Sequence, residues 1–150
     1  MNTSLHTDAE YLDAQPQDRT ADLITIYFDG KCGLCSREIT YYKRIAPEGL
    51  FHWADVAHDP SVLQPLKISQ ADALRRLHGV DKEGRLHIGV DAFVLIWRQL
   101  SYWRVLGFTV SLPGIRQIAG LAYNKFADYR FLRLDHCQIA ADNALLDKQK

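Results

Sequence analysis

The patterned part of the chain begins with a short apolar and β-branched run over residues 23–28, which an Asp-Gly pair closes. A run of this length and composition predicts a buried strand. Apolar side chains then recur at helical spacing from Cys35 to Ile45, and an alternating segment follows over residues 50–56. These three segments predict a strand, helix, strand unit with parallel strands and a right-handed crossover.

Further elements are predicted after the next loop. Ser69 is placed to cap a short helix that carries Ala73 and Leu74. Residues 77–80 and 85–89 are predicted to form a hairpin, because a four-residue turn that contains glycine separates them. The complete prediction is therefore a sheet of four strands.

The remainder of the chain is predicted to be helical. Asp91 is placed to cap a helix that runs to about Leu100, and residues 102–110 are expected to continue it after a bend. Residues 112–114, Leu-Pro-Gly, interrupt the pattern, and residues 115–134 predict a further helix. The last dozen residues are polar, and we expect them to be frayed. The apolar positions of the last predicted helix are Ile118, Leu121, Ala122, Phe126 and Tyr129.

At 150 residues the chain fits one domain that buries a core. We expect a flexible leader over residues 1–22, a single domain over residues 23–136 and a polar tail over residues 137–150. The order β-α-β-α-β-β-α, with a Cys-x-x-Cys motif at the first strand-to-helix turn, is typical of thioredoxin-like domains. The predicted fold class is therefore α/β: a thioredoxin-like βαβ-ββα core with a mixed sheet and additional C-terminal helices.

The charge balance narrows the range of partners. The 18 basic and 18 acidic side chains are intermixed, so the sequence offers no basic face for a nucleic acid or an anionic membrane. The most apolar long segment, residues 92–110, contains Arg98 and Arg104, which are costly at the centre of a bilayer, so we expect no membrane span. The polar N-terminus lacks the features of a secretion signal, which favours a cytoplasmic location where cysteines stay reduced.

Four aromatic residues crowd the C-terminal helical region. We favour core and groove packing for them, although a helix that lies on a membrane surface stays open. They also support an alternative function, in which the domain binds a protein partner through these helices and its cysteines are redox-inert. The four residues are Trp97, Tyr102, Trp103 and Phe108.

The pair Cys32 and Cys35 is the main candidate for chemistry. Residues three positions apart on a helix have Cα atoms about 5 to 6 Å apart, which a disulfide tolerates. At a helix N-terminus the unpaired N–H groups favour a thiolate, and Lys31 adds a cation beside Cys32. We therefore expect Cys32 to be the exposed nucleophile and Cys35 to be the more buried, resolving thiol.

Two roles are open for Asp29, which lies three residues before Cys32. Asp-Gly is a turn signal, so we favour a carboxylate that accepts backbone N–H groups in the turn. At the end of an apolar strand, Asp29 could also carry a proton to or from Cys35. The two roles are compatible.

A metal site is a further alternative. The cysteine pair supplies two sulfur ligands, whereas a structural zinc site needs four, and the sequence has no second close pair. Residues distant in the sequence could complete such a site only through folding. We therefore expect neither a metal nor a cofactor, and we interpret Cys137 as a lone thiol. The distant candidates are His52, His58, His78, His87, His136 and Cys137.

Three segments together resemble one known family. They are DGKCGLC over residues 29–35, DALRRLH over residues 72–78, and GVDAF over residues 89–93. With Trp97, they resemble the DCC family of predicted thiol-disulfide oxidoreductases, whose DxxCxxC motif matches Asp29, Cys32 and Cys35. Residues 112–114 and 123–130 are also similar in type, so the resemblance covers roughly residues 24–134.

The resemblance implies a thioredoxin-like fold and thiol-disulfide exchange by Cys32 and Cys35, with Asp29 in the site. The partners would be a disulfide-containing protein or a small thiol substrate, and an external dithiol reductant that resets the enzyme. Unlike thioredoxins, the chain has no proline just before the third strand, so we expect substrate docking to differ. We hypothesise that the GVDAF segment, through Asp91 or Phe93, lies near the thiols instead.

Overall fold

The computed structural model describes residues 22–149 and contains one mixed sheet. Its strands are β1 (Ile24–Phe28), β2 (Phe51–Asp55), β3 (His78–Val80) and β4 (Leu86–Ile88), in the order β2-β1-β3-β4. β1 pairs with β2 in parallel and with β3 in the antiparallel sense, and β3 pairs with β4 antiparallel. The predicted thioredoxin-like α/β fold is confirmed. The predicted leader lies outside the described residues, apart from Asp22.

Up to residue 133 the α-helices of the described residues occupy the predicted segments, whereas a 3-10 helix forms in the segment that was predicted to be a loop after β2. Asp91 does not cap α3, because Gly89 takes the N-cap position and the Asp91 carboxylate pairs with Arg116 at 2.7 Å (Nε–Oδ1). Ser69 does cap α2, since its side chain accepts the backbone N–H of Asp72 at 3.1 Å. The helices are α1 (Gly33–Ile45), a 3-10 helix (Pro60–Leu66), α2 (Gln70–Arg75), α3 (Val90–Gln99), α4 (Arg104–Val110), α5 (Ile115–Arg133) and α6 (Asp135–Asp147).

Alternation along β1 divides the core into two layers. Ile24, Ile26 and Phe28 belong to the layer that also contains buried side chains of α1 and α3. Tyr27 belongs to the opposite layer, with buried side chains of α2, α5 and α6. The end of β1 is therefore enclosed by helices on both sides, and the turn that follows it starts from a rigid position.

The C-terminal segment is ordered, so the expectation of a frayed tail is wrong. Residues 135–147 form α6, which packs against α2 and α5, and Cys137 in it is fully buried. Its inward positions are 137, 140, 141 and 144, which are one cysteine and three alanines at helical spacing. A stripe of such small side chains gives little hydrophobic signal, although it allows the helix to approach α2 closely.

The exposure of α5 differs from that of an ordinary amphipathic helix. Ile118 and Leu121, which supported the prediction of this helix, are 71% and 66% exposed, whereas Ala127 and Phe131 are buried. The fully buried side chains of the helix therefore lie in its C-terminal half, and its outward side presents large apolar side chains.

The four aromatic residues divide into two pairs. Trp97 and Trp103 pack as expected, because their rings stack at 6.0 Å and Trp97 Nε1 donates to the Tyr42 hydroxyl at 2.8 Å. The expectation of core packing is wrong for Tyr102 and Phe108, which are 95% and 65% exposed.

No single helix within residues 22–149 has the length and apolar composition needed to cross a bilayer. Helices α4 and α5 have that length and composition only when taken together, and the pair is bent by 97°.

Candidate active site

The Cys-x-x-Cys turn lies between the end of β1 and the start of α1. Cys32 is the N-cap residue of α1, and its Sγ accepts a hydrogen bond from the backbone N–H of Cys35 at 3.4 Å. Both cysteines are free, and this hydrogen bond holds the backbone of Cys35 next to the sulfur of Cys32. The first helical turn therefore places the two sulfur atoms side by side, where they can form and break a disulfide.

Asp29 closes the turn in which Cys32 lies. Its Oδ1 accepts the backbone N–H groups of Lys31 and Cys32 at 3.1 and 3.2 Å, and the residue is 4% exposed. These bonds are the turn interaction that the sequence predicted for Asp29. They fix the backbone of Cys32 directly and its sulfur indirectly.

A second carboxylate, at the end of the neighbouring strand β2, supports the same turn. Asp55 Oδ1 accepts the backbone N–H groups of Gly30 and Ala57, each at 3.0 Å. Burial acts to raise the pKa of Asp55, but hydrogen bonds from His58, Gly30 and Ala57 outweigh burial and lower the pKa. A Cβ atom added to Gly30 would overlap the Asp55 carboxylate, so this position requires glycine.

Two cationic or protonatable side chains reach Asp29 from the C-terminal helices. His136 Nε2 lies 2.9 Å from both carboxylate oxygens, and Arg130 Nη1 lies 3.3 Å from Oδ2. The His136 tautomer with its proton on Nε2 can donate to either carboxylate oxygen at this distance. The sequence analysis missed Arg130 as a site component, although it ends a stretch that resembles the DCC family. It named His136 only as a distant candidate metal ligand and not as a partner of Asp29.

The Arg130 guanidinium is held rigidly beside the thiols. Its side chain is 11% exposed, and Nη2 donates to the carbonyl oxygens of Leu74 and Arg75 at 2.6 and 3.0 Å. Burial acts to lower the pKa of Arg130, but Cys35, Cys32 and Asp29 together raise it above its ordinary value. The site therefore contains a fixed positive charge that acts on both sulfur atoms.

The two cysteines differ in exposure in the opposite sense to the prediction. Cys32 is 3% exposed, whereas Cys35 is only half-buried, so the expectation of an exposed Cys32 and a more buried Cys35 is wrong. The backbone bond of Cys32 to Asp29 holds the N-cap residue inward, while Cys35, within the first helical turn, lines a cleft. Burial and the hydrogen bond with Cys32 nevertheless raise the pKa of Cys35 far above its ordinary value, although Arg130 opposes them.

The cleft beside Cys35 is largely apolar. Its walls include Leu34, Phe93, Tyr123 and Phe126. Phe93 therefore lies near the thiols, as we hypothesised for the GVDAF segment, whereas the partner of Asp91 is Arg116.

The backbone that leads into β3 has no proline and is held in another way. The Tyr123 hydroxyl accepts the backbone N–H of Leu77 at 2.9 Å, and no peptide bond within residues 22–149 is cis. A side chain of α5 therefore fixes the segment that precedes β3, the position where thioredoxins place their proline.

Three residues could in principle hold a metal ion. The ligand atoms of Asp29, His136 and Cys137 lie within 4.8 Å of one another, and Cys137 Sγ lies 3.7 Å from Asp29 Oδ2. Burial raises the pKa of Cys137 to about 12, and Asp29 adds to this effect. Because a metal needs a thiolate and a deprotonated imidazole nitrogen, this arrangement favours a hydrogen-bonded cluster. Cys137, which the sequence analysis interpreted as a lone thiol, thus lies next to Asp29 in the site.

The family of the chain follows from comparison with known proteins. The profile of the family described as DCC1-like thiol-disulfide oxidoreductase matches residues 26–134. The match covers most of the chain, which therefore belongs to this family, and it confirms the resemblance drawn from DxxCxxC. No curated protein and no solved structure matches the chain.

Proposed function

We propose that this protein exchanges disulfides by a two-step mechanism in which Cys32 attacks and Cys35 resolves. The observation that carries the assignment is the unequal hydrogen bonding of the two thiols. Cys32 Sγ accepts the backbone N–H of Cys35 at the N-terminus of α1, and the Arg130 guanidinium acts on the same sulfur. Cys35 has a raised pKa and retains its proton.

The reaction balances without a cofactor. The Cys32 thiolate attacks one sulfur of the substrate disulfide, whose S–S bond breaks, and the leaving thiolate takes a proton from the solvent. Cys35 then loses its proton and attacks Cys32 Sγ, which releases the second substrate thiol and forms the Cys32–Cys35 disulfide. An external dithiol reduces this bond and restores the starting state.

Asp29 acts in this proposal as a positioning residue. The two carboxylate oxygens offer about four acceptor positions, for which two backbone N–H groups, His136, Arg130 and the Cys137 thiol already compete. A proton shuttle from Cys35 would first have to displace one of these donors. Asp29 therefore serves to hold the cysteine turn and to keep Arg130 beside the sulfur atoms.

Asp29→Asn separates positioning from proton transfer. Loss of the carboxylate charge should loosen Arg130 and slow the attack by Cys32, while the later, unimolecular resolution step changes little. Stopped-flow kinetics with glutathione disulfide would resolve the two steps. A selective slowing of resolution would instead assign Asp29 as the proton shuttle.

The burial of Cys32 limits the kind of disulfide that reaches it. With 3% of the residue exposed, a bulky folded protein has poor access to Sγ, whereas a small disulfide or an extended peptide needs less space to reach it. We therefore propose small-molecule disulfides or disulfides in extended segments as substrates. Glutathione disulfide should react faster than a buried protein disulfide of similar reduction potential.

Single cysteine variants test the mechanism. Mixed with glutathione disulfide, Cys35→Ser should accumulate a mixed disulfide on Cys32, because the resolving thiol is missing. Cys32→Ser should form its adduct far more slowly, and Cys137→Ser, the matched control, should turn over like the unchanged protein. Mass spectrometry identifies the adduct. Equally fast adduct formation on Cys35 in Cys32→Ser would reverse the two roles, and full turnover by Cys32→Ser would exclude the mechanism.

A further inference from the structure

An apolar face covers the outward side of α4 and α5, which contact each other. Aliphatic side chains dominate it, and two aromatic side chains lie at its α4 end. The most exposed members are Tyr102 at 95%, Val105 at 75%, Ile118 at 71%, Leu132 at 69%, Leu121 at 66% and Phe108 at 65%. Isolated exposed apolar residues are ordinary, but a set of this size on adjacent helices marks a binding surface.

The charge around this α4–α5 face is positive. Residues 102–132, over which the face extends, contain four basic residues and one acidic residue, Asp128, which pairs with Arg75 at 3.8 Å. Arg116 pairs with Asp91 and Arg130 with Asp29, whereas Arg104 and Lys125 form no ion pair with any residue from 22 to 149. Apolar side chains bordered by such cations suit a surface of lipid tails and anionic headgroups.

The way α5 packs restricts how it could meet a membrane. Ala127 and Phe131 are buried, and α5 contacts α2, α3, α4 and α6. One side of the helix is therefore committed to the domain, and only the outward side is available to lipid. With 19 residues α5 is about 28 Å long, which allows extended contact with a surface in the manner of an interfacial helix.

We propose that the α4–α5 face docks on an anionic lipid surface. Its aliphatic side chains would enter the boundary between headgroups and acyl chains, with Tyr102 and Phe108 at the interface and Arg104 and Lys125 among the headgroups. A second copy of the chain is a poorer occupant, because a two-fold interface would bring equal patches of positive charge together.

Docking in this way would place the thiol site beside the membrane. Phe126 of α5 lines the cleft next to Cys35, as does Leu34, which is 57% exposed. Disulfides close to the lipid headgroups would then meet the dithiol at a raised local concentration. The docking itself does not depend on the exchange activity.

Flotation of the full chain with vesicles tests the proposal. We expect it to float with phosphatidylcholine vesicles that contain phosphatidylglycerol and far less with pure phosphatidylcholine. Ile118→Asp/Leu121→Asp should lower the partition coefficient at least about tenfold, since it places charge in the acyl boundary. Arg104→Gln/Lys125→Gln should lower it roughly 25-fold, or about fivefold for each cation. Leu145→Asp/Leu146→Asp, at α6 positions that are each 59% exposed, is the matched control and should float normally.

Several outcomes would overturn the proposal. They are no flotation, equal flotation with neutral vesicles, or flotation that survives Ile118→Asp/Leu121→Asp. Light scattering on lipid-free protein tests whether a second copy of the chain binds the face instead. A dimer that the Ile118→Asp/Leu121→Asp variant dissociates would assign the face to a second copy. Exchange with glutathione disulfide in solution should be unchanged in the α4–α5 variants, so failure of the docking proposal is separable from failure of the proposed function.

Discussion

Replacing Arg130 with glutamine should slow the attack by Cys32 at neutral pH and reverse its effect at high pH. A hydrogen bond to a charged group contributes about 1.5 to 3 kcal/mol, so loss of the guanidinium lowers the thiolate population about 10- to 100-fold. The intrinsic nucleophilicity of a thiolate rises with its basicity, with a Brønsted coefficient of about 0.4 to 0.5, which recovers about half of this loss on a logarithmic scale. The net decrease in rate is about 3- to 10-fold.

The sign reversal distinguishes loss of charge from general damage. Once the thiol is fully ionised, only the higher nucleophilicity remains, so Arg130→Gln should then attack faster than the unchanged protein. Alkylation by iodoacetamide, followed for each cysteine by mass spectrometry across a pH series, measures both regimes. Arg133→Gln is the matched control, since it removes a cation from the same helix. The Arg133 guanidinium lies over the Tyr129 ring, 4.6 Å from its centroid, and not beside Asp29.

Folding must be measured alongside the rates, because Arg130 also binds the carbonyl oxygens of Leu74 and Arg75. Urea unfolding shows whether the variant is folded under the assay conditions. A folded Arg130→Gln protein whose Cys32 alkylates with the same rate and pH profile as the unchanged protein would refute the role of this charge.

Three further predictions concern the buried thiol, the turn and the cleft. The pKa of Cys137 is about 12 in the folded protein against an ordinary value of 9.0, so its contribution to folding stability is complete below pH 9 and is lost as pH rises towards 12. The free energy of unfolding should fall by at most about 1.4 kcal/mol per pH unit in this range. Urea unfolding of Cys137→Ser should show a smaller fall. Gly30→Ala should destabilise the protein by about 1 to 3 kcal/mol in the same assay, whereas Gly33→Ala, whose added Cβ meets open space, should not. Phe93→Ala should lower kcat/KM for small disulfides about tenfold through loss of a cleft wall, while Asp91→Ala should not, and equal values for the two variants would contradict the position of the cleft.

The cysteine turn could be predicted because its determinants are contiguous in the sequence. The apolar run of β1, the Asp-Gly pair and the helical spacing after Cys35 lie within one segment of the chain. Their local preferences agree, so the position of Cys32 at the start of α1 and the backbone bonds of Asp29 follow from them.

The remainder of the site depends on packing that local patterns do not encode. Arg130 and His136 are 101 and 107 residues from Asp29 along the chain, and they reach it only because α5 and α6 cover one layer of the core. The buried stripe of α6 consists of small residues, which give too little hydrophobic signal to outweigh the polar composition that predicts a tail. The inward orientation of Cys32 has the same origin, since the Asp29 cluster that holds its backbone is completed by these two helices.

The sequence analysis also could not predict which side chains of the C-terminal helices are exposed. A window rich in aromatic and aliphatic residues predicts burial, and it did so correctly for Trp97 and Trp103. Tyr102 and Phe108 belong to the same window but lie on the side that no other element covers. Only the arrangement of α3, α4 and α5 decides which members of the window meet the core.

Equilibration with glutathione buffers of graded redox poise, followed by mass spectrometry, tests the central claim most directly. We predict one two-electron transition, tenfold for each step of about 30 mV, in which two hydrogen atoms are lost and a disulfide joins Cys32 to Cys35. Cys137 should remain a thiol that is alkylated only after unfolding. If no disulfide forms at any poise, or if the bond joins Cys137 to either cysteine of the turn, the proposed dithiol mechanism is contradicted.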